Sequence, residues 1–245
     1  MKKYKIALTI AGSDSSCGAG IQADLKTFAS LGCYGASVLT ALTAQNTKGV
    51  QAVFPISAKF VRQQLTSVFD DLEIKSIKTG MLFSTDIIET IVSFLDKRKV
   101  PLVVDPVMIA ESGDPLIKRG AISAIKEKLL PLATLLTPNL REAEHLLRRH
   151  LSNRQAVEQA AKELCSMGSQ AVLIKGGHSS KKTSDDCLYI EKGKDIYWFK
   201  SKRIITKNTH GTGCTLSSAI AAYLAQGNQL LDAVDYAKIY HWSLD

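Results

Sequence analysis

The sequence contains no Cys-x-x-Cys pair, no apolar run long enough to span a bilayer and no Gly-x-x-x-x-Gly-Lys-Ser/Thr loop. Its five cysteines (Cys17, Cys33, Cys165, Cys187 and Cys214) are scattered and odd in number, which argues against a disulfide framework or a structural zinc site and suits a reducing cytoplasm. Apolar stretches are broken by Gly, Pro or charge well before the roughly 18 to 20 residues a membrane helix needs. The basic start at residues 1–5 leads into an apolar stretch at 6–11 that is too short for a signal peptide, so neither a membrane partner nor export is expected. The His-Arg-Asp and Asp-Phe-Gly elements of protein kinases are missing, and Leu216 stands where a dinucleotide fingerprint needs its third glycine. Basic residues at Lys2-Lys3, Lys97-Arg98-Lys99, Arg148-Arg149 and Lys181-Lys182 lack interleaved aromatics, so the net charge of +8 points away from nucleic acid and toward small anionic substrates.

What is present is an alternation. Short apolar, β-rich runs at 6–10, 36–42, 76–79, 102–104, 134–136 and 171–174 are separated by amphipathic helical stretches at 19–31, 58–71, 85–97, 118–129, 141–149 and 154–167. That order predicts an α/β fold with a mostly parallel central sheet and helices on both faces. Runs at 187–190 and 196–199 flank Gly193 and predict an antiparallel hairpin, followed by closing helices at 212–226 and 229–242. With no repeat or low-complexity linker, residues 1–245 are expected to form a single domain. Ligands of such sheets bind outside the carboxyl ends of the strands.

Several segments fall at such ends. Residues 208–215 (Asn-Thr-His-Gly-Thr-Gly-Cys-Thr) precede a helical stretch of small residues. Gly211 and Gly213 let the backbone turn so that successive N–H groups, Thr212 included, aim at one point beside a helix dipole, which makes a phosphate or oxyanion cradle. The same composition also serves an ordinary cap. Cys214 would sit in the first helical turn, where the dipole lowers a thiol's pKa, as a base, a nucleophile or a packing residue. His210 reads as a general acid, a phosphate donor or a loop hydrogen-bonder. Residues 11–20, with Gly12, Asp14 and Ala19, form either a substrate loop or a set of turns and a helix cap. Asp105 ends an apolar strand and Asn139 and Glu142 stand at a strand-to-helix turn, where hard oxygen ligands suit Mg²⁺ and where caps and surface carboxylates are also common. Lys175, in Lys175-Gly176-Gly177-His178, is either a cation for a transferring phosphate or a solvated lysine.

Taken in order, AGSDSSCGAGIQADLKTF (11–28), TALTAQNT (40–47), KTGML (78–82), VVDPVM (103–108), SGDPL (112–116), LTPNLREAE (136–144), KGGH (175–178) and NTHGTGCT (208–215) resemble the hydroxymethylpyrimidine and phosphomethylpyrimidine kinase branch of the ribokinase superfamily over essentially the whole chain. The resemblance implies a ribokinase-like three-layer α/β/α fold, ATP as phosphoryl donor and Mg²⁺ on its phosphates. It implies that a pyrimidine 5-hydroxymethyl group is phosphorylated and its monophosphate then converted to the diphosphate, in thiamine biosynthesis. By the same resemblance Gln45 hydrogen-bonds the aminopyrimidine ring, Gly12, Ala19 and Asp24 shape its pocket, and Met81 and Val107 pack on it. Lys175 neutralises phosphate, Asp105 and Glu142 organise Mg²⁺, and Asn139 and His210 help hold the nucleotide. The amides of Gly211, Thr212, Gly213 and Cys214 form the anion hole, with Cys214 where many sugar kinases carry an aspartate base. A homodimer in the cytoplasm is implied as well. A pyridoxine-type kinase, a non-catalytic pyrimidine sensor and a Cys-His thiol enzyme are the competing expectations. The sequence departs from the family at Cys17, where glycine is common and a side chain is expected to narrow the pocket mouth, and at Asp245, beyond which relatives continue through a Gly-rich, His-containing tail.

Overall fold

The computed structural model describes residues 4–109, 116–118, 120–176, 184–200 and 210–242. Residues 112–115, Gly177, His178, Asn208 and Thr209, singled out above, lie outside this set. The strands are β1 (Ile6–Asp14), β2 (Tyr34–Asn46), β3 (Gly49–Pro55), β4 (Ile74–Thr79), β5 (Leu102–Val104), β6 (Leu135–Leu136), β7 (Ala171–Ile174), β8 (Asp186–Ile190) and β9 (Asp195–Phe199). They form one nine-stranded sheet in the order β3-β2-β1-β4-β5-β6-β7-β8-β9. Pairing is parallel from β2 through β7 and antiparallel at β2–β3, β7–β8 and β8–β9.

Alternation along the strands supplies both faces of the sheet. Ala7, Val103, Leu135 and Leu173 share a core with α1 (Gly20–Ser30), α7 (Thr212–Ala225) and α8 (Leu230–Trp242). Leu8, Ile10, Val104, Leu136 and Val172 turn the other way, into the core with α2 (Ala58–Asp71), α3 (Thr85–Leu95), α4 (Ala121–Ala124), α5 (Leu140–Leu147) and α6 (Arg154–Cys165). This is the three-layer arrangement expected from the sequence. The buried side of α7 is built of small residues, Ser217, Ser218, Ala219, Ala221 and Ala222. A helix faced this way lies close against the sheet, and its first turn stands at the sheet's carboxyl edge. Among the described residues no helix is long and apolar enough to cross a membrane.

Two parts of the fold differ from expectation. The second strand runs on to Asn46 and turns back through β3. The sequence conceals β3 because it is an edge strand with little burial, ending on Pro55, so no apolar alternation marks it. The helix expected over 118–129 is α-helical only over Ala121–Ala124, then a π turn at Ile125–Leu129 and a 3-10 turn at Leu130–Leu132. Pro131 is the reason: it has no N–H to donate and its ring crowds the carbonyl four residues back, so regular α-helical bonding cannot continue past it.

Candidate active site at the β1–β4 switch point

β1 connects through α1 to β2 on one side, and the chain then returns through β3 and α2 to β4 on the other side of β1. The strand order therefore reverses between β1 and β4, where an open α/β sheet leaves a crevice at its carboxyl ends. A cavity of about 420 Å³ opens there. Its lining brings together Gly12 and Ala19 from the N-terminal loop, Gln45 from β2, Met81 after β4, Val107 after β5 and Cys214 on α7. Gln45 is fixed by its neighbours: the Thr43 hydroxyl donates to its side-chain oxygen at 3.1 Å, and its backbone amide donates to Ser15 Oγ at 2.9 Å.

Asp14 organises the loop above the cavity. Its Oδ1 accepts the Ser16 amide and hydroxyl, each at 2.8 Å, and its Oδ2 accepts the amides of Gly18 at 3.1 Å and Ala19 at 2.8 Å. His210 Nε2 lies 2.8 Å from the same Oδ2. Burial opposes ionisation of Asp14, but His210 and the loop donors outweigh it and hold the carboxyl below its usual range. His210, expected among the phosphate ligands, is thus engaged with the loop. Gly211, which caps α7, has φ +84°, and a Cβ placed on it would lie 1.8 Å from the Gly18 carbonyl oxygen. The loop at 14–20 and the start of α7 therefore touch backbone to backbone, which only glycine permits in this conformation.

A charged cluster stands beside the start of α7, next to the cavity-lining Cys214. Lys175, just after β7, places Nζ 2.9 Å from Asp105 Oδ1, with side chains 12% and 2% exposed. Thr137 and Ser217 donate to the same carboxylate, each at 3.3 Å. Asn139 and Glu142 form a reciprocal capping box at the start of α5: the Glu142 amide donates to Asn139 Oδ1 at 2.9 Å and the Asn139 amide to Glu142 Oε2 at 2.7 Å. Burial pushes the Glu142 carboxyl above the usual range; Lys175 pulls it back and Asp105 adds to the rise. Burial also works against the Lys175 ammonium, but Asp105 and Glu142 more than offset it, so the lysine stays charged. A Cβ on Gly213 would sit 3.2 Å from Lys175 Nζ. The first turn of α7, whose Gly213 and Cys214 amides have no partner within the helix, thus adjoins a fixed cation, and together they are suited to receive an anion.

The sequence profile described as phosphomethylpyrimidine kinase matches residues 14–244. The chain belongs to this family. It is 52% identical over 234 residues to a thiamine biosynthesis bifunctional protein of Geobacter sulfurreducens, covering 95% of this chain but 47% of that longer protein. It is 50% identical to the hydroxymethylpyrimidine/phosphomethylpyrimidine kinase of Escherichia coli (strain K12), covering 95% of this chain and 87% of the relative. Among solved structures, phosphomethylpyrimidine kinase from Clostridium difficile 630 superposes with a TM-score of 0.87 at 43% identity, over 99% of both chains. Pyridoxal kinase from Staphylococcus aureus, in complex with AMP-PCP and pyridoxal, gives 0.89 at 36% identity, over 99% of this chain and 88% of that one.

Within this phosphomethylpyrimidine kinase framework, two placements, of Asp24 and Cys17, differ from expectation, and Asp14 has a larger part than its sequence suggests. Asp24 is not among the cavity-lining residues; it is buried and ion-paired to Lys78, a residue of the Lys-Thr-Gly-Met-Leu segment at 78–82 for which the sequence suggests no role. Asp14, in the segment left open between a substrate loop and turns with a helix cap, is the hub of the loop at 14–20. Its only sequence signal is the run of small and hydroxyl-bearing residues that follows it, the composition of side-chain-to-backbone turns. Cys17 is exposed and is not among the lining residues, so it does not narrow the pocket. Its φ of +64° gives the physical reason glycine suits this position, since a left-handed residue with a Cβ costs about 1 kcal/mol.

Proposed function

We propose that this chain is an ATP-dependent kinase that phosphorylates 4-amino-5-hydroxymethyl-2-methylpyrimidine and then its monophosphate, working as one catalytic domain in thiamine biosynthesis. The observation that carries this reading is the juxtaposition in one cavity of a hydrogen-bonding and apolar end, Gln45 with Met81 and Val107, and a reacting end at Cys214 beside the α7 start. Gln45 offers both a donor and an acceptor to an aminopyrimidine edge. Met81 and Val107 bury the ring, and the exocyclic alcohol is directed toward Cys214. The α7 amides with Lys175 hold the transferring phosphoryl group, and positioning with charge stabilisation supplies most of the rate, because a loose transition state needs little early deprotonation of the alcohol.

Asp105 and Glu142 fit a bound Mg²⁺: they offer hard oxygen donors, and a second cation beside Lys175 would favour the ionised form of Glu142 that burial disfavours. When bound, the ion neutralises phosphate charge. Glu142→Gln is expected to raise the Mg²⁺ concentration for half-maximal rate by about tenfold. A Mg²⁺ titration of ADP release checks this, and an unchanged half-saturation point removes Glu142 from the metal site.

The likeness to a pyridoxal kinase solved with pyridoxal supports a second reading within the same fold. ADP release measured with hydroxymethylpyrimidine, its monophosphate and pyridoxal separates the two. The first two are expected to exceed pyridoxal in kcat/KM by at least about tenfold. Turnover confined to pyridoxal would sink the primary reading, and binding without ADP release would indicate a sensor. We further propose a cytoplasmic homodimer. The β2–β3 edge supports this, with exposed Leu42 paired in register with exposed Phe54 and Phe60 exposed on α2, an apolar edge of the kind that proteins cover. Light scattering of the intact chain, with and without Phe54→Lys, tests it; a monomeric parent protein overturns it.

A further inference from the structure

Under the cavity lies an ion pair that the phosphate and pyrimidine contacts do not use. The side chains of Lys78 on β4 and Asp24 on α1 are both 0% exposed. Lys78 Nζ lies 2.9 Å from each Asp24 oxygen, and the carboxylate also accepts the Thr9 and Ser218 hydroxyls, each at 2.6 Å. Such pairs contribute little net stability, because removing two ions from water costs about as much as their attraction returns, and apolar replacements are often as stable. Packing alone therefore gives little reason for a lysine here.

Its location gives a better one. Thr9 and Lys78 are register partners across β1 and β4, at the reversal of strand order. Ser218, which holds Asp24, follows Cys214 by four residues, so the two lie on the same face of α7, Cys214 one turn nearer the helix start. Lys78 and Cys214 both line the cavity. A Cβ on Gly80 would come within 3.0 Å of the ammonium, so the glycine keeps that space open for it.

We propose that Lys78 is a positioning residue for phosphoryl transfer: clamped by Asp24, its ammonium is a fixed cation beneath the reacting end of the cavity, acting through Cys214 by favouring negative charge on the sulfur. The groups around that sulfur are Lys78 on β4, Asp24 and the Gly20 amide on α1, Asp105 after β5 and Lys175 after β7. The thiol is pushed up to about 11, by burial first of all; within that balance Lys78 is the strongest influence pulling it down, Asp24 and Asp105 push it up, and the Gly20 amide pulls it down. Burial works against the Lys78 charge too, but Asp24, Cys214 and Asp105 more than offset it, so the lysine stays protonated. The catalytic meaning of this arrangement rests on the kinase reading, whereas the cation–thiol coupling stands without it.

The test uses the full chain carrying Cys17→Gly, which removes the exposed thiol at a position of left-handed φ. Iodoacetamide alkylation of Cys214 is followed by mass spectrometry from about pH 8 to about pH 12, with no nucleotide, for the parent, Lys78→Met, Asp24→Asn and the double variant. Lys78→Met is expected to raise the titration midpoint and slow alkylation by about tenfold near pH 8. Asp24→Asn is expected to lower the midpoint or leave it in place. Slower alkylation in Lys78→Met cannot come from unfolding, which would expose the thiol and speed alkylation. The double variant leaves no unpaired buried charge and keeps the test usable if a single variant does not fold; its midpoint is expected above that of the parent. An unmoved midpoint in Lys78→Met, a rise in Asp24→Asn, or a double variant at or below the parent overturns the proposal. ADP release assayed in parallel keeps the outcomes distinct: thiol shifts without any kinase activity discard the kinase reading alone, and kinase activity without thiol shifts discards the role of Lys78 alone.

Discussion

Lys175→Met is expected to lower kcat by about a thousandfold, roughly 4 kcal/mol of transition-state stabilisation, while changing KM for the pyrimidine by no more than a few-fold. The asymmetry follows from where Lys175 stands. Its ammonium is bound to Asp105 at 2.9 Å and adjoins Gly213 at the start of α7, whereas Gln45 lines the cavity and Lys175 does not, so on the proposed reading it meets the transferring group and not the ring. Methionine matches the length of the side chain and removes only the charge. The change also leaves buried Asp105 with only the Thr137 and Ser217 hydroxyls, so a lowered melting temperature is expected beside the loss of kcat. Arginine is not expected to rescue activity, since a planar fork does not replace a compact ammonium in a space bounded by the α7 backbone. Steady-state ADP release at saturating pyrimidine, with a thermal unfolding curve as control, decides the matter; a variant that retains near-parental kcat takes Lys175 off the phosphoryl path.

Gly211→Ala should be more damaging than its one added methyl group suggests. At φ +84° an alanine is strained by about 1 kcal/mol, and its Cβ would also fall 1.8 Å from the Gly18 oxygen. That oxygen belongs to a backbone held by the Asp14 carboxylate and cannot swing aside as a side chain does. The α7 start must move, and the amides aimed at the phosphoryl group move with it. A loss in kcat/KM of at least about a hundredfold is expected, since misplacement by about 1 Å costs that much, together with a lowered melting temperature. Gly213→Ala is the internal comparison: its Cβ would meet Lys175 Nζ at 3.2 Å and Asp105 Oδ2 at 4.0 Å, side-chain atoms and no backbone. If the two alanines behave alike, the contact between loop and helix start is not what positions the anion hole.

The parts of this protein that were legible in its sequence are those governed by local pattern. Parallel strands flanked by helices announce themselves as short apolar runs, and glycines before a helix mark its start whatever lies around them. β3 was hidden because an exposed edge strand has no apolar face to reveal its period. Lys75 and Lys78 show what else is lost. They are chemically identical and three positions apart on β4, so the pleat sends them to opposite faces. One pairs with Glu73 at the surface, and the other is sealed under α1 and α7 with Asp24. Nothing local distinguishes them; only the packing of distant helices does. Gln45, Met81, Val107 and Cys214 could be placed in one pocket by resemblance, but the fates of Asp24 and His210 depended on partners far away in sequence.

The contact of Asp14 and Gly18 with His210 and Gly211 carries a thermodynamic consequence. On the proposed reading, the loop over the ring and the helix start that receives phosphate share one set of backbone contacts, so work done in ordering either is common to both. Linkage then requires reciprocity: whatever factor a bound pyrimidine adds to the affinity for nucleotide, bound nucleotide adds to the affinity for pyrimidine. Loosening the contact at either residue should reduce both factors together, so that the two ligands come to bind as strangers.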